Sequence, residues 1–333
     1  MSAILEGAMK VRFDIERWPL AVPFRISGYT FEVAEVLVTS LEKDGRIGRG
    51  EASGVYYRQD TPVQMLRQLE SARSKIEIGL GRDEVQRLLP PGGARNALDC
   101  AVWDLEAKLS GQPVWRLAEL EPPRSLLTTF TCGADEPEIM AARARTYDQA
   151  RAIKVKLIGD ELDAERVRYV RGARPDVWLG VDGNQGFTRA RLEKLMPVLV
   201  DARVQLIEQP FPIGADAFFQ GLKSPIPLAA DESAQTLADV RSLVPYFQVI
   251  NIKLDKCGGL TEGLAMARLA RDLGLKCMVG CMTSTSLSMA PAFLVGQLCD
   301  IVDLDGPVHL KADRPVTATY ADGHISCSRD LWG

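Results

Sequence analysis

A chain of 333 residues that is 46% hydrophobic and 25% charged can bury a large core and still carry a second, smaller domain. A formal net charge of −4 gives it no electrostatic reason to bind nucleic acid or an anionic membrane. Residues 1–12 lack the apolar stretch of a secretion signal and no later run has the length of a membrane span, so small-molecule chemistry in the cytoplasm is the expectation.

In chain order, residues 8–18 and 31–41 alternate like strands, and Asp44-Gly45 turns the chain into a third short strand at 47–52. Helical spacing follows at 62–76, 83–88 and 94–109, the last stopped by Gly111 and Pro113. A meander followed by helices reads as an α+β domain, closed by the linker Glu121-Pro122-Pro123. Beyond it strand and helix alternate. Strands are expected at 126–132 and 152–158, then in runs ending at Asp182, Glu208, Asp231 and Lys253, then at 276–282 and 301–304. Helices are expected in every gap, among them 137–149, 163–172, 263–273 and 287–298. Eight strands with a helix between each successive pair predict a parallel barrel. The tail at 315–328 has a strand-like stretch at 316–320 and a turn at Asp322-Gly323, and is expected to fold back onto the first domain. The resulting division is a capping domain over 1–124, completed by 315–333, and a barrel over 125–314. The cysteines (Cys100, Cys132, Cys257, Cys277, Cys281, Cys299 and Cys327) are odd in number and form no Cys-x-x-Cys pair, so they read as buried free thiols.

From Lys156 through Asp182, Glu208 and Asp231 to Lys253 the spacings are 26, 26, 23 and 22 residues, each the length of one strand-plus-helix unit. Taken singly, each acid is an ordinary strand-end charge and Lys154-Val155-Lys156 an ordinary solvated edge. In a barrel, however, the carboxyl-terminal strand ends converge on one mouth, so the five side chains would share a cavity. Three carboxylates on successive strands make a hard-oxygen site suited to Mg²⁺. Alternation puts Lys154 and Lys156 on one strand face. Strands two and six lie across the barrel from each other, so Lys156 and Lys253 would approach a ligand from opposite sides. A cation holding a substrate carboxylate, with an amine on each face of its α-carbon, is an arrangement for moving a proton from one face to the other through an enediolate. Mutual proximity of the amines and the cation is expected to depress the lysine pKa values.

Together, Lys154-Val155-Lys156, Asp182-Gly183-Asn184, Glu208-Gln209-Pro210, Ala230-Asp231-Glu232 and Asn251-Ile252-Lys253 resemble the signature of the enolase superfamily in its muconate-lactonizing branch, over nearly the whole chain. The resemblance implies an α/β fold, a modified (β/α)₇β TIM barrel with an α+β capping domain. It also implies one Mg²⁺ per subunit on Asp182, Glu208 and Asp231, Lys156 and Lys253 as the acid/base pair, and Lys154, Asn184 and Glu232 in support. Asp303-Leu304-Asp305 resembles the Asp-x-Asp with which dipeptide epimerases hold the substrate's α-ammonium. Residues 251–263 and 96–101 are similar to the L-Ala-D/L-Glu epimerases of murein-peptide metabolism, which implies an isomerase that inverts the C-terminal residue of a dipeptide.

Those epimerases carry an arginine on the first capping loop for the glutamate side chain. Here the loop at 24–31 holds Arg25 several residues early and Tyr29 or Phe31 at the corresponding positions, so epimerisation of apolar dipeptides or racemisation of N-acylamino acids stays open. Met282 and Thr283, at the seventh strand end, complete the expected substrate contacts, and Tyr56 and Tyr57 either close over the substrate or pack the domain interface. An o-succinylbenzoate synthase or cycloisomerase has no need of acids at 303 and 305, and a non-catalytic binding protein has no need of lysines on both faces. The sequence leaves homo-oligomerisation open.

Overall fold

The computed structural model describes Leu5 and residues 7–333; residues 1–4 and 6, assigned above to the capping domain, lie outside the described residues. The chain opens with a long antiparallel hairpin, β1 (Lys10–Ile26) against β2 (Tyr29–Lys43), to which β3 (Arg46–Ala52) adds. This hairpin runs further than alternation suggests. The segment read as a capping loop is its tip, with Phe24 opposite Phe31, Arg25 opposite Thr30 and Ile26 opposite Tyr29. The register shifts between Pro19 and Phe24, where Pro19 and Pro23 interrupt the ladder and with it the sequence signal. Three helices follow: α1 (Pro62–Glu77), α2 (Arg82–Leu88) and α3 (Gly93–Ser110). Thr61 caps α1 by accepting from Gln64 N, and α3 is buried along nearly its whole length because it separates the sheet from the barrel.

After α4 (Val114–Leu117) and the short strand β4 (Leu126–Leu127), eight parallel strands form one sheet in chain order: β5 (Thr129–Cys132), β6 (Ala152–Lys156), β7 (Trp178–Asp182), β8 (Leu206–Glu208), β9 (Leu228–Ala230), β10 (Val249–Ile252), β11 (Lys276–Gly280) and β12 (Ile301–Asp303). Bonds from Thr129 Oγ1 to Asp303 and from Thr131 N to Asp305 draw the first and last strands together, so the sheet is a nearly closed TIM barrel under a separate antiparallel cap. Alternation explains why these strands read as apolar runs ending in charge. Outward residues such as Ile153, Val181, Ile207 and Ile252 join the main core beneath the helices. Inward residues Trp178, Leu206, Ala229, Val249, Met278 and Ile301 pack together as the barrel floor. One or two pleats further along, the inward positions become the charged set.

Around the barrel run α5 (Pro137–Thr146), α6 (Asp163–Ala173), α7 (Arg189–Asp201), α8 (Val240–Leu243), α9 (Leu254–Cys257), α10 (Leu260–Asp272) and α11 (Ser286–Gly296). The expectation of a helix in every gap fails twice. Between β8 and β9 there is only a 3₁₀ turn at Asp216–Phe219, and between β9 and β10 only the single turn α8. Pro210, Pro212, Pro225 and Pro227 bracket the first gap and Pro245 closes the second, which fits the shorter spacings of 23 and 22 residues there.

The tail also departs from expectation. Its hairpin, β13 (Thr319–Ala321) with β14 (His324–Ser326), pairs with β4 and not with the capping sheet, because Ile325 buries its side chain there. The last residues do reach the cap: Trp332 Nε1 donates to Arg49 O at 2.8 Å and Gly333 N to Asp104 Oδ1 at 2.9 Å. All seven cysteines are free thiols. Among the described residues no helix is long and apolar enough to cross a membrane.

Candidate active site

Strand register sets Lys156 beside Asp182 and Asp182 beside Glu208, so three neighbouring strands end in charge at one level. Asp231 follows β9 and Lys253 follows β10, continuing the row around the mouth. Carboxylate oxygens of Asp182, Glu208 and Asp231 lie within 4.8 Å of one another, and all three residues are buried. Lys156 Nζ donates to Asp182 Oδ2 at 2.6 Å, and Lys253 Nζ to Asp231 Oδ2 at 2.7 Å. Since β6 and β10 are second and sixth in the eight-stranded ring, the two amines meet the acidic row from opposite walls. Gly280 makes room for this: a Cβ there would stand 2.9 Å from Lys253 Cε and 2.7 Å from Asn251 Oδ1.

Neighbours hold the row in shape. Asn184 N donates to Asp182 Oδ1 at 2.9 Å, and Asn184 Nδ2 to Glu232 Oε1 at 3.4 Å. Lys154 sits deeper, ion-paired with Asp303 and 3.4 Å from Glu208 Oε2. Three residues to which the sequence reading gave no role complete the set. Asn251 Nδ2 donates to Glu208 Oε1 at 2.8 Å. Gln209 Oε1 accepts from Asp231 N and Ser233 N, each at 3.0 Å. Lys256 Nζ, fully buried, donates to Asp231 Oδ1 at 2.6 Å, Asp231 O at 2.5 Å and Asn251 O at 3.0 Å. The available signals were local: Asn251 shares the strand face of Lys253, and Lys256 lies three residues beyond it, in the turn α9.

Crowding of these charges shifts their protonation. Burial, reinforced by Asp182, pushes Glu208 up to about 8, and burial with Asp231 pushes Glu232 up to about 7. Burial also acts against ionised Asp182 and Asp231, but Lys156 and Lys154 on the one, and Lys253 and Lys256 on the other, hold both below the ordinary carboxylate range. The expected depression of the lysines belongs to a cation-loaded site; from the protein's own charges alone, Lys154 and Lys253 move the other way. Burial pulls both down, yet Asp303 beside the first and Asp231 beside the second raise them well above the usual amine value. Lys256 is lowered, by burial. Three oxygen donors this close, from adjacent strands and buried, fit a hard divalent cation such as Mg²⁺.

Above the row, between the mouth and the hairpin tip, opens a cavity of about 610 Å³. Lys156, Lys253 and Asn184 line it, as do Phe31, Met282, Thr283 and Tyr56. Arg25 does not. Alternation along β1 sends Phe24 and Ile26 toward the cavity and Arg25 away from it, to pair with Asp135 at 3.3 Å. Tyr29 is 44% exposed and packs edge-on against Tyr56, ring centroids 4.5 Å apart, outside the lining. Tyr57 also lies outside, its hydroxyl accepting from Gln235 Nε2 at 2.9 Å. Asp303 and Asp305 are engaged within the barrel wall. Asp303 is held by Lys154 and Thr129, while Asp305 accepts from Thr131 N at 2.5 Å and pairs with His309 Nε2 at 3.2 Å. Burial works against the Asp305 charge, but His309 and its hydrogen bonds bring it down to about 2.

Residues 8–118 match the mandelate racemase/muconate lactonizing enzyme N-terminal domain, and residues 139–329 match the enolase C-terminal domain-like family. This chain belongs to the enolase superfamily. Among superfamily relatives, the L-Ala-D/L-Glu epimerase of Escherichia coli (strain K12) is 38% identical over 312 residues, 93% of this chain and 97% of that one. The N-acetyl-D-glutamate racemase of Pseudoalteromonas sp. is 42% identical over 253 residues, 75% of this chain and 79% of that one. The solved dipeptide epimerase from Methylococcus capsulatus, complexed with Mg and the dipeptide L-Arg-D-Lys, superposes with a TM-score of 0.88 at 31% identity, covering 97% of each chain. The two enolase-superfamily units correspond to the cap and the barrel, and the cavity lies between them.

Proposed function

We propose that this protein is a Mg²⁺-dependent dipeptide epimerase, an isomerase that inverts the α-carbon of the C-terminal residue by two-base proton transfer. One observation carries the reading: Lys156 and Lys253 stand on opposite walls and bracket a buried triad of carboxylates at the base of a half-open cavity. A divalent ion on Asp182, Glu208 and Asp231 supplies, when bound, the positive charge that offsets negative charge growing on a substrate carboxylate as its α-proton leaves. The protein's own groups do the rest. Lys156 takes or returns the proton on one face of the α-carbon and Lys253 on the other. Asn251 orients Glu208, and Lys256 and Gln209 orient Asp231, so that the carboxylate oxygens converge before any ligand arrives. The hairpin tip and Tyr56 stand over the mouth and narrow its opening to solvent. On this reading the partner is a small-molecule dipeptide in the cytoplasm.

Side-chain preference follows from the lining. Phe24, Ile26, Phe31, Tyr56 and Met282 face the cavity, and the one arginine at its rim, Arg17, is tied to Glu35 at 3.1 Å. An apolar residue is therefore accepted in preference to glutamate, for whose carboxylate the described lining offers hydroxyls such as Thr30 and Thr283 but no unpaired arginine. A second reading, racemisation of N-acylamino acids, is favoured by Asp303 and Asp305: both are taken by resident groups, and neither faces the cavity as a free carboxylate for an α-ammonium. Incubation of L,L-dipeptides and N-acylamino acids with enzyme and Mg²⁺ in D₂O separates the two. One deuterium at the α-carbon of the C-terminal residue of dipeptides supports the first, labelling of N-acylamino acids alone selects the second, and no labelling of either refutes both.

A further inference from the structure

We infer that Asp255 is a positioning residue that latches the second capping segment, residues 53–60, onto the turn following Lys253, and so sets where Tyr56 closes over the cavity. Its kinetic consequence rests on the epimerase reading; its mechanical consequence does not. The turn α9 begins directly after Lys253 and sends its polar residues two ways: Lys256 reaches Asp231, while Asp255 reaches the cap. Asp255 is 3% exposed, and a single oxygen, Oδ1, accepts from both Ser53 N at 2.8 Å and Gly54 N at 2.9 Å. Ser53 Oγ donates to Thr283 O at 3.0 Å, so the same point of the cap is also tied beyond the end of β11.

Backbone geometry makes this attachment stiff. Gly54 has φ of 75°, and a Cβ there would stand 1.9 Å from Asp60 O, so the chain takes a bend that other residues rarely adopt. Asp60 Oδ2 accepts from Gly93 N at 2.7 Å and secures the far end of the segment against α3. Between the anchors lie Tyr56, which lines the cavity and packs on Phe31 with centroids 5.3 Å apart, and exposed Arg58, which donates to Gln235 Oε1 at 2.9 Å. An apolar side chain at 255 could fill the volume but would leave two buried N–H groups without an acceptor, so the carboxylate is there for the loop. Because Lys253 and Asp255 share one turn, the latch fixes the roof of the cavity relative to one of its two bases.

The test compares Asp255→Ala with Asp255→Asn in the full-length enzyme with Mg²⁺. Asparagine retains an oxygen that can accept both N–H groups; alanine does not. Three readings are taken: the rate of tryptic cleavage after Arg58, kcat and KM for α-proton exchange, and the thermal shift on adding Mg²⁺. Loss of both hydrogen bonds in Asp255→Ala should speed cleavage at Arg58 about tenfold and raise KM about tenfold, with kcat changed less than about threefold and the Mg²⁺ shift intact. Asp255→Asn should restore cleavage and KM to within about threefold of wild type. Wild-type cleavage and wild-type KM in Asp255→Ala would overturn the latch, and so would equal losses in the two variants. If Asp255→Ala does not fold, Asp255→Ser must show the accelerated cleavage. If the wild type exchanges no dipeptide proton, the epimerase reading fails, and cleavage at Arg58 still decides the latch.

Discussion

Replacing each amine of the pair by methionine should have unequal effects on stability. Asp182 Oδ2 accepts from Lys156 at 2.6 Å; without that amine, Asp182 keeps Asn184 N at 2.9 Å on its other oxygen and the longer contact to Lys154 at 3.7 Å, so Lys156→Met leaves a buried carboxylate with no cation in hydrogen-bond reach. Asp231 keeps Lys256 at 2.6 Å on its other oxygen when Lys253 is removed. Breaking a buried pair by removing its directly bonded cation costs about 3–5 kcal/mol. Loss of one of two charged hydrogen bonds costs about 1.5–3 kcal/mol. Lys156→Met should therefore be the less stable variant by about 1–3 kcal/mol, and Mg²⁺, which offers Asp182 a new counter-charge, should recover more of its loss. Urea unfolding with and without Mg²⁺ measures both quantities. The same samples in D₂O report the chemistry. Each variant should lose epimerisation by about 10²-fold or more, yet still exchange the α-proton of the one epimer that faces its remaining lysine. A Lys253→Met protein less stable than Lys156→Met, or either variant interconverting both epimers at near wild-type rate, would refute the assignment of one base to each wall.

Metal linkage offers a separate check. Mg²⁺ at about a hundred times its Kd should add about 2.7 kcal/mol to the unfolding free energy of the wild type, and Asp231→Asn should lose that increment; an increment retained by the variant, read by calorimetry against a chelated control, places the ion elsewhere. The fully buried Asp99 is pushed up to about 6, above its ordinary 3.8, by burial. The folded state therefore binds the proton more tightly than the unfolded chain. Its contribution to stability is fully present below about pH 4, falls as pH rises to about 6 and is level beyond, by up to about 3 kcal/mol. The stability difference between wild type and Asp99→Asn, followed against pH, should decline through that window, and a flat difference contradicts it. Trp332 is 4% exposed and bonds Arg49 of the cap, so Trp332→Ala should cost about 3–5 kcal/mol in chemical unfolding; a loss under about 1 kcal/mol would show that the C-terminus does not clamp the two units.

The barrel and its charged rim were legible because one physical rule writes both. A buried parallel strand must be apolar on two faces until it reaches the mouth, so each apolar run stops at a functional charge, and the run lengths plus helices set a period. Where prolines replaced the helix, between β8 and β9, the period shortened but the strand ends kept their identity. Orientation at the hairpin tip was not legible, because the register shift between Pro19 and Phe24 breaks the alternation that would have told Arg25 from its neighbours. Asn251 and Lys256 were hidden for another reason: their roles depend on which acids other strands bring to them, Glu208 from β8 and Asp231 from the end of β9, and one segment's own pattern contains no such information.

Asp303 and Asp305 show the limit most sharply. Their shared face can be read from alternation, but their partners Thr129 and Thr131 lie 174 residues away in sequence, on the strand that closes the barrel. Lys154, on the next strand, competes for the same carboxylate that a substrate ammonium would need. Closure of the barrel therefore decides how much negative charge is offered to the substrate's nitrogen. An ammonium must displace or share with Lys154 on Asp303, whereas a neutral acyl nitrogen leaves that ion pair undisturbed. Substrate choice between dipeptide and N-acylamino acid is accordingly a contest at the seam between β5 and β12, and Asp303→Asn should weaken exchange of dipeptides far more than exchange of N-acylamino acids in the same D₂O assay. Equal losses on both substrates would mean that Asp303 serves Lys154 alone.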